Sequence, residues 1–137
     1  MMLKYVAAYV ATGLAFALID SVWLKNMAPR LYQPILGDLL APSFRLAPAV
    51  VFYVLYIAGI QIFAVVPALA DGRWQTALLQ GAVLGFLCYM TYDMTNFATL
   101  KVWSMKVTVL DMIWGTVLTG SASAVGMLVT ARLFPQA

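Results

Sequence analysis

Residues 47–69 form an apolar run without one formally charged side chain, with Pro48 near its start, Pro67 in its last turn and Asp71-Gly72-Arg73 just beyond it. A helix rises about 1.5 Å per residue, so roughly 20 residues of this kind cross about 30 Å of hydrocarbon. Residues 5–24, 76–100 and 108–131 repeat the pattern, each broken by a single charge: Asp20, Asp93 and Asp111 respectively. The first of these runs follows Lys4, and its triplet Ala15-Phe16-Ala17 imitates a signal-peptide cleavage site. The hydrophobicity continues past the triplet, which favours an uncleaved span.

Composition agrees with four spans. Apolar and aromatic residues make up 64% of the 137 and charged residues 9%, where a soluble domain carries about a quarter charged. With a mean hydropathy of +0.93, this excludes a water-soluble monomer. The expected fold class is all-α: a single domain over residues 1–137, an integral membrane bundle of four transmembrane helices, placed in the bacterial inner membrane as a multi-pass protein. The lipid bilayer is its first partner, and a homo-oligomer is compatible with the sequence.

The net charge of +3 comes from eight Lys/Arg against five acidic residues, with no cationic cluster of the kind nucleic acid requires. Nucleic acid is therefore not an expected partner. Cys88 is the only cysteine and lies in an apolar run, so no intrachain disulfide forms. Histidine is absent, which removes imidazole haem ligation, the usual zinc sites and Ser-His or Cys-His catalytic pairs. No metal site is expected, and the sequence identifies no cofactor.

Residues 25–46 hold Lys25, Arg30, Asp38, Arg45 and three prolines, too much charge and punctuation for a spanning helix. Leu31, Tyr32, Ile35, Leu36, Leu39 and Leu40 recur in pairs four residues apart and make one apolar face, as in a segment lying along the membrane interface. Loops one and three together carry five basic residues (Lys25, Arg30, Arg45, Lys101, Lys106) against three elsewhere (Lys4, Arg73, Arg132). Positive-inside counting then places loops one and three in the cytoplasm and both termini outside.

Alternation of four spans brings Asp20, Tyr53, Tyr56, Asp93, Asn96 and Asp111 into one half of the membrane. On span three, Gly85, Tyr89, Tyr92, Asn96, Thr99 and Trp103 follow at spacings of 4, 3, 4, 3 and 4, a helical stripe expected to face protein, with Asp93 on its flank. A carboxylate facing lipid costs a few kcal/mol, so intramembrane aspartates turn inward toward donors or cavity water. The expected ligand-binding set is Asp20, Trp23, Tyr53, Tyr56, Tyr89, Tyr92, Asp93, Asn96, Thr99, Asp111 and Trp114, lining a polar, aromatic vestibule open toward loop one.

Each residue also has a structural reading. Thr108-x-x-Asp111 matches a helix-capping pattern, Asp20 lies within reach of Lys25 or interfacial water, and Asp93 suits a bundle-locking hydrogen bond. Trp23, Trp103 and Trp114 suit an aromatic belt or packing. Gly81-x-x-x-Gly85 and Gly115-x-x-x-Thr119-x-x-x-Ser123 let helices approach closely, within the bundle or across a dimer. Asp20-x-x-Trp23 and Asp111-x-x-Trp114 echo each other but sit at opposite ends of their spans, too short a match to count as a repeat.

The run Tyr89-x-x-Tyr92-Asp93-x-x-Asn96-x-x-Thr99, then Trp103, then Thr108-x-x-Asp111-x-x-Trp114-Gly115, with Asp20-x-x-Trp23-Leu24 upstream, resembles a bacterial family of small four-span membrane proteins known only as a domain of unknown function. The resemblance covers nearly the whole chain and implies membrane location and a four-span fold, with no activity to carry over. Small multidrug resistance transporters also have four spans, but with a Glu embedded in span one. This chain has no Glu, and its Asp20 lies near the end of its span, so that assignment is rejected.

Three readings of function follow. Intramembrane ionisable groups commonly mark pathways, so the first is a protein that binds or translocates a cation, a proton or a small amphipathic ligand. The second is a membrane enzyme using Asp93 and Asp111 as acid and base, with or without an oxygen-ligated divalent ion. The third is an assembly subunit whose aspartates bond neighbouring helices.

Overall fold

The computed structural model describes residues 2–136, and nearly all of them are helical. Lipid offers backbone groups no hydrogen bonds, so a spanning chain must satisfy them within its own helices. The first helix, α1 (Met2–Met27), does not stop at its first charge. It continues through a π turn (Ala28–Tyr32) into α2 (Gln33–Leu36) and ends in a 3-10 turn (Gly37–Leu39). The separate interfacial segment expected over residues 25–46 is therefore in its first part an extension of helix one. Pro29 lies in the π turn and Pro34 in α2. A proline lacks the N–H for the α-helical bond and its ring crowds the carbonyl four residues back, a conflict that a wider turn relieves. Of the apolar face expected there, Leu31 is buried, Tyr32 and Leu36 are half-buried, and Ile35, Leu39 and Leu40 are exposed.

The same device recurs in the second helical stretch. α3 (Leu46–Ile60) passes through a π turn (Gln61–Val65) into α4 (Val66–Asp71), where Pro67 occupies the first turn. Gly72 closes α4 with φ of 73°, a left-handed conformation that glycine adopts without strain. Asp71 braces the turn, accepting from the Arg73 backbone N–H (2.9 Å) and the Thr76 hydroxyl (2.6 Å). α5 (Trp74–Thr99) and α6 (Met105–Leu133) complete the chain.

Three helical stretches are long and apolar enough to cross a membrane: Met2–Leu39, Leu46–Asp71 and Met105–Leu133. α5 matches them in length, but Gln75, Gln80, Asp93 and Asn96 make it more polar. Among the described residues there is no strand.

α6 is the central helix, packed between α1 and α5 and holding the largest set of buried residues. Its neighbours run antiparallel to it, as the contacting pairs show: Gly81 lies on Ser123 and Gly85 on Gly115 and Thr119, while Thr12 of α1 meets Gly126. Both glycine patterns are thus used inside the bundle. A Cβ on Gly81 would collide with Ser123, and one on Gly115 would enter the Tyr89 ring. Close backbone approach of this kind replaces the hydrophobic drive that lipid cannot supply between helices. α3 leans on α1, where Phe16 sits edge-on to Tyr53 and Tyr56 (ring centroids 5.3 and 5.5 Å) and Tyr9 donates to the Val54 carbonyl (2.8 Å). The π turn and α4 pack on α5, but α3 itself diverges from it. The bundle is therefore closed at one end and splayed between α3 and α5 at the end where loops one and three lie.

Gly85→Ala is expected to destabilise the protein by about 1–3 kcal/mol, because the added methyl meets the Gly115 backbone and Thr119 rather than a movable side-chain tip. Gly59→Ala, with nothing within 4 Å of its new Cβ, should leave stability unchanged. Thermal unfolding of both variants in detergent measures the difference.

Candidate functional site

At the splayed end, three carboxylates are buried among aromatic side chains. Asp20 lies on α1, one turn from the end of the expected span, and takes two donors: Trp114 Nε1 of α6 to Oδ1 at 3.1 Å, and the Tyr53 hydroxyl of α3 to Oδ2. Its side chain points inward and is buried, and these two donors, not Lys25, meet it. Asp111 on α6 accepts from the Tyr32 hydroxyl, which in turn accepts from Trp23 Nε1 at 3.0 Å. Trp23 and Trp114 stack face to face, 4.4 Å between centroids and 8° between planes. The two Asp-x-x-Trp motifs, one on each of two antiparallel helices, thus interlock: Trp114 bonds Asp20 directly, and Trp23 reaches Asp111 through Tyr32.

The capping reading of Asp111 is corrected by this geometry. α6 begins three residues before Thr108, and its N-cap is Ser104, whose hydroxyl accepts from the Val107 N–H at 3.2 Å. Thr108 donates to the Ser104 carbonyl (3.0 Å) and accepts from Trp103 Nε1 (3.0 Å), which anchors Trp103 at the helix start. Asp111 lies about two turns in, buried and facing the bundle.

Asp93 on α5 is the third carboxylate, 0% exposed, and its carboxyl faces that of Asp111. Neither Oδ1 nor Oδ2 has a hydrogen-bond partner. Buried polar groups are paired in the great majority of cases, so a carboxyl with both oxygens unmet is the most unusual group in the bundle. Among the described residues no set of three or more Asp, Glu, Cys or His side chains is grouped so as to hold a metal ion.

The stripe expected on span three is rotated. The buried line of α5 runs through Ala77, Gly81, Gly85 and Asp93, with Tyr89 half-buried between the last two. Tyr92 is 60% exposed and edge-on to Trp103, Asn96 is half-buried, and Thr99 is exposed and donates to the Thr95 carbonyl (2.8 Å). Tight packing on α6 explains the shift, because only the face carrying the two glycines lets α5 come close enough. Tyr56 lies deeper, its hydroxyl 2.8 Å from Thr119 Oγ1, and Tyr89 covers Gly115. The structure therefore gathers Asp20, Trp23, Tyr53, Asp93, Asp111 and Trp114, with Tyr56 and Tyr89 below them. It leaves Thr99 outside and Tyr92 at the edge.

Sequence reasoning missed Tyr32 as a member, having placed it on an apolar interfacial face. It also missed Phe52 and Cys88. With Tyr89, Tyr92 and Asp111 they line a cleft of about 320 Å³. Phe52 belongs to α3, the tyrosines and Cys88 to α5, so the cleft occupies the gap where these two helices diverge, with Asp111 at its floor.

The family whose model describes a predicted membrane protein (DUF2177) matches residues 5–128. The chain belongs to that family. No curated protein and no solved structure was found to match it. Membership agrees with the fold, and the family's description names no activity, so chemistry has to be argued from the aspartate cluster itself.

Tyr32→Phe removes the donor of Asp111 and the acceptor of Trp23 together. It is expected to lower stability by about 1–3 kcal/mol, the cost of leaving buried polar groups unmet. Tyr5→Phe, remote from the cluster, should cost nothing measurable; unfolding in detergent compares them.

Proposed function

We propose that this family member binds a small cation-bearing ligand at the Asp93–Asp111 pair inside the membrane, in exchange for a proton. One observation carries the reading: Asp93 is fully buried, and among the described residues neither of its oxygens meets a donor other than the Asp111 carboxyl that lies against it, itself held by Tyr32 at Oδ1. Two facing carboxyls in a site without a cationic donor do not both stay ionised, because like charges at close range in a poorly polarisable medium repel strongly. One proton shared by the pair, or one bound cation, removes that repulsion, and the two occupants are therefore mutually exclusive. Movement of the ligand between the two membrane surfaces is the natural extension of such exchange.

Tetraethylammonium serves as the probe. Its binding to purified protein, followed by calorimetry, should strengthen as pH rises, because the site must lose its proton before the cation enters. Asp93→Asn should insert and fold but bind about tenfold more weakly or worse, since the Coulomb attraction lost at about 5 Å, roughly 3 kcal/mol at an effective dielectric of about 20, exceeds the roughly 1.4 kcal/mol of a tenfold change. If Asp93→Asn binds like the parent protein, Asp93 is structural and the assembly reading takes precedence. Recovery of a chemically altered probe would identify acid–base catalysis instead.

The same reading places the protein in the bacterial inner membrane with loops one and three in the cytoplasm, supported by their five basic residues. In a Cys88→Ala background, an impermeant maleimide added from the periplasmic side should label Gln75→Cys and not Val102→Cys. Labelling of Val102→Cys alone from that side reverses the orientation.

A further inference from the structure

We infer that the ligand is an amphiphile which enters from the bilayer, its cationic head at Asp111 and its apolar body in the cleft between α3 and α5. This rests on the cation-binding reading and names the ligand class of that site. The cleft is lined by Phe52 of α3 and by Cys88, Tyr89 and Tyr92 of α5, with Asp111 of α6 the carboxylate among its lining residues, and its surface is mostly apolar. Its volume of about 320 Å³ sits at the lower end of small-molecule pockets, roughly 300–1,000 Å³, and suits a single short chain with a compact head group.

Asp111 supplies the charge complement. It lines the cleft with Oδ1 held by Tyr32, and the buried Asp93 carboxyl lies against it. The walls supply apolar and aromatic surface, and Phe52 is steadied there by stacking on Tyr56 (ring centroids 5.1 Å, 18° between planes). Aromatic faces also attract a cation passing along them. Phe52 and Tyr92, at the rim, are the two most exposed of the lining aromatics. A purely hydrophilic ion gains nothing from such walls, and an uncharged chain gains nothing from such a floor. Only an amphiphilic cation satisfies both.

The experiment uses protein in liposomes and a decyltrimethylammonium probe carrying a diazirine in its chain. On irradiation, the fraction of labelling competed by unlabelled decyltrimethylammonium should fall on Phe52, Cys88 and Tyr92, and the matching diazirine-bearing decanol should give no competed label. At about ten times the half-saturating concentration of competitor, specific labelling should drop about tenfold. Phe52→Ala, a change at an exposed position, should weaken decyltrimethylammonium binding by a larger factor than tetraethylammonium binding, because only the former has a chain to lay against that wall. The inference is overturned, with the cation site still standing, if tetraethylammonium binds in an Asp93-dependent way but the competed label lies away from these three residues. It is overturned too if decanol is competed equally, for then the cleft holds lipid chains without regard to charge. Absence of Asp93-dependent tetraethylammonium binding removes the cation site and this inference together.

Discussion

A carboxylate inside an apolar bundle has to be met by donors carried on other helices, and this requirement organises the splayed end of the protein. Asp20 draws Trp114 from α6 and Tyr53 from α3; Asp111 draws Tyr32 from the extension of α1. Each bond ties two helices that lipid gives no reason to associate. Individually such bonds are modest, about 0.6 kcal/mol on average in a membrane, but the stacked Trp23–Trp114 pair makes them interdependent. Moving either indole breaks a bond to one aspartate and disturbs the route to the other. α5 enters by a different route: its glycine face presses on α6, and Asp93 is carried to Asp111 as a consequence of that packing rather than through a bond of its own.

Much of this was legible in the sequence, for reasons that also explain what was not. Helix positions follow from uncharged length, and the inward direction of the three aspartates follows from the cost of exposing charge to lipid. The glycine patterns were legible as close-packing sites because a missing side chain has one dominant use in a membrane helix. Periodicity failed where the helix is not an α-helix. Counted at about 3.6 residues per turn, Tyr32 would point about 120° away from Asp20. The π turn Ala28–Tyr32 holds an extra residue and rotates Tyr32 back toward the cluster. Proline at position 29 signals that the helix is perturbed, but the sequence does not say whether it breaks or widens. The stripe on α5 failed for a related reason: the expected and observed lines share Gly85 and Tyr89 and part at Tyr92 and Asp93, one residue apart, and only the partner surface on α6 decides which is buried. Thr108-x-x-Asp111 misled because Ser104 offers an earlier cap, and the helix simply begins sooner.

The cleft has the same origin as the cluster. α3 is pulled toward α1 by Tyr53 and by the packing of Tyr53 and Tyr56 on Phe16, while α5 is pulled toward α6 by its glycines. The chain joins α3 to α5 through the π turn Gln61–Val65, α4 and a tight turn, so the two helices are held together at that end only. Opposing attractions at the other end must leave a gap between them, and the residues that face a gap of this kind are aromatic and apolar because lipid lies outside it.

The three aspartates are consequently unequal. Asp20 has both oxygens met, by donors from two helices, and any ligand there would have to displace an indole and a phenol whose loss loosens the bundle. Asp111 has Oδ1 met by Tyr32 and is among the residues that line the cleft. Asp93 has neither met. This gradient from saturated to unsaturated runs from the helix-locking side of the cluster to the α5 side, so the carboxylates that lock helices and the one left out of that role are different residues. A protein that used all three carboxylates to lock helices would have no group left to change partners, and one that left all three unmet would not hold its helices around them. Asp93 stands on α5, the helix held by backbone packing instead of by side-chain bonds, so the contacts that keep α5 in place do not depend on what meets that carboxyl.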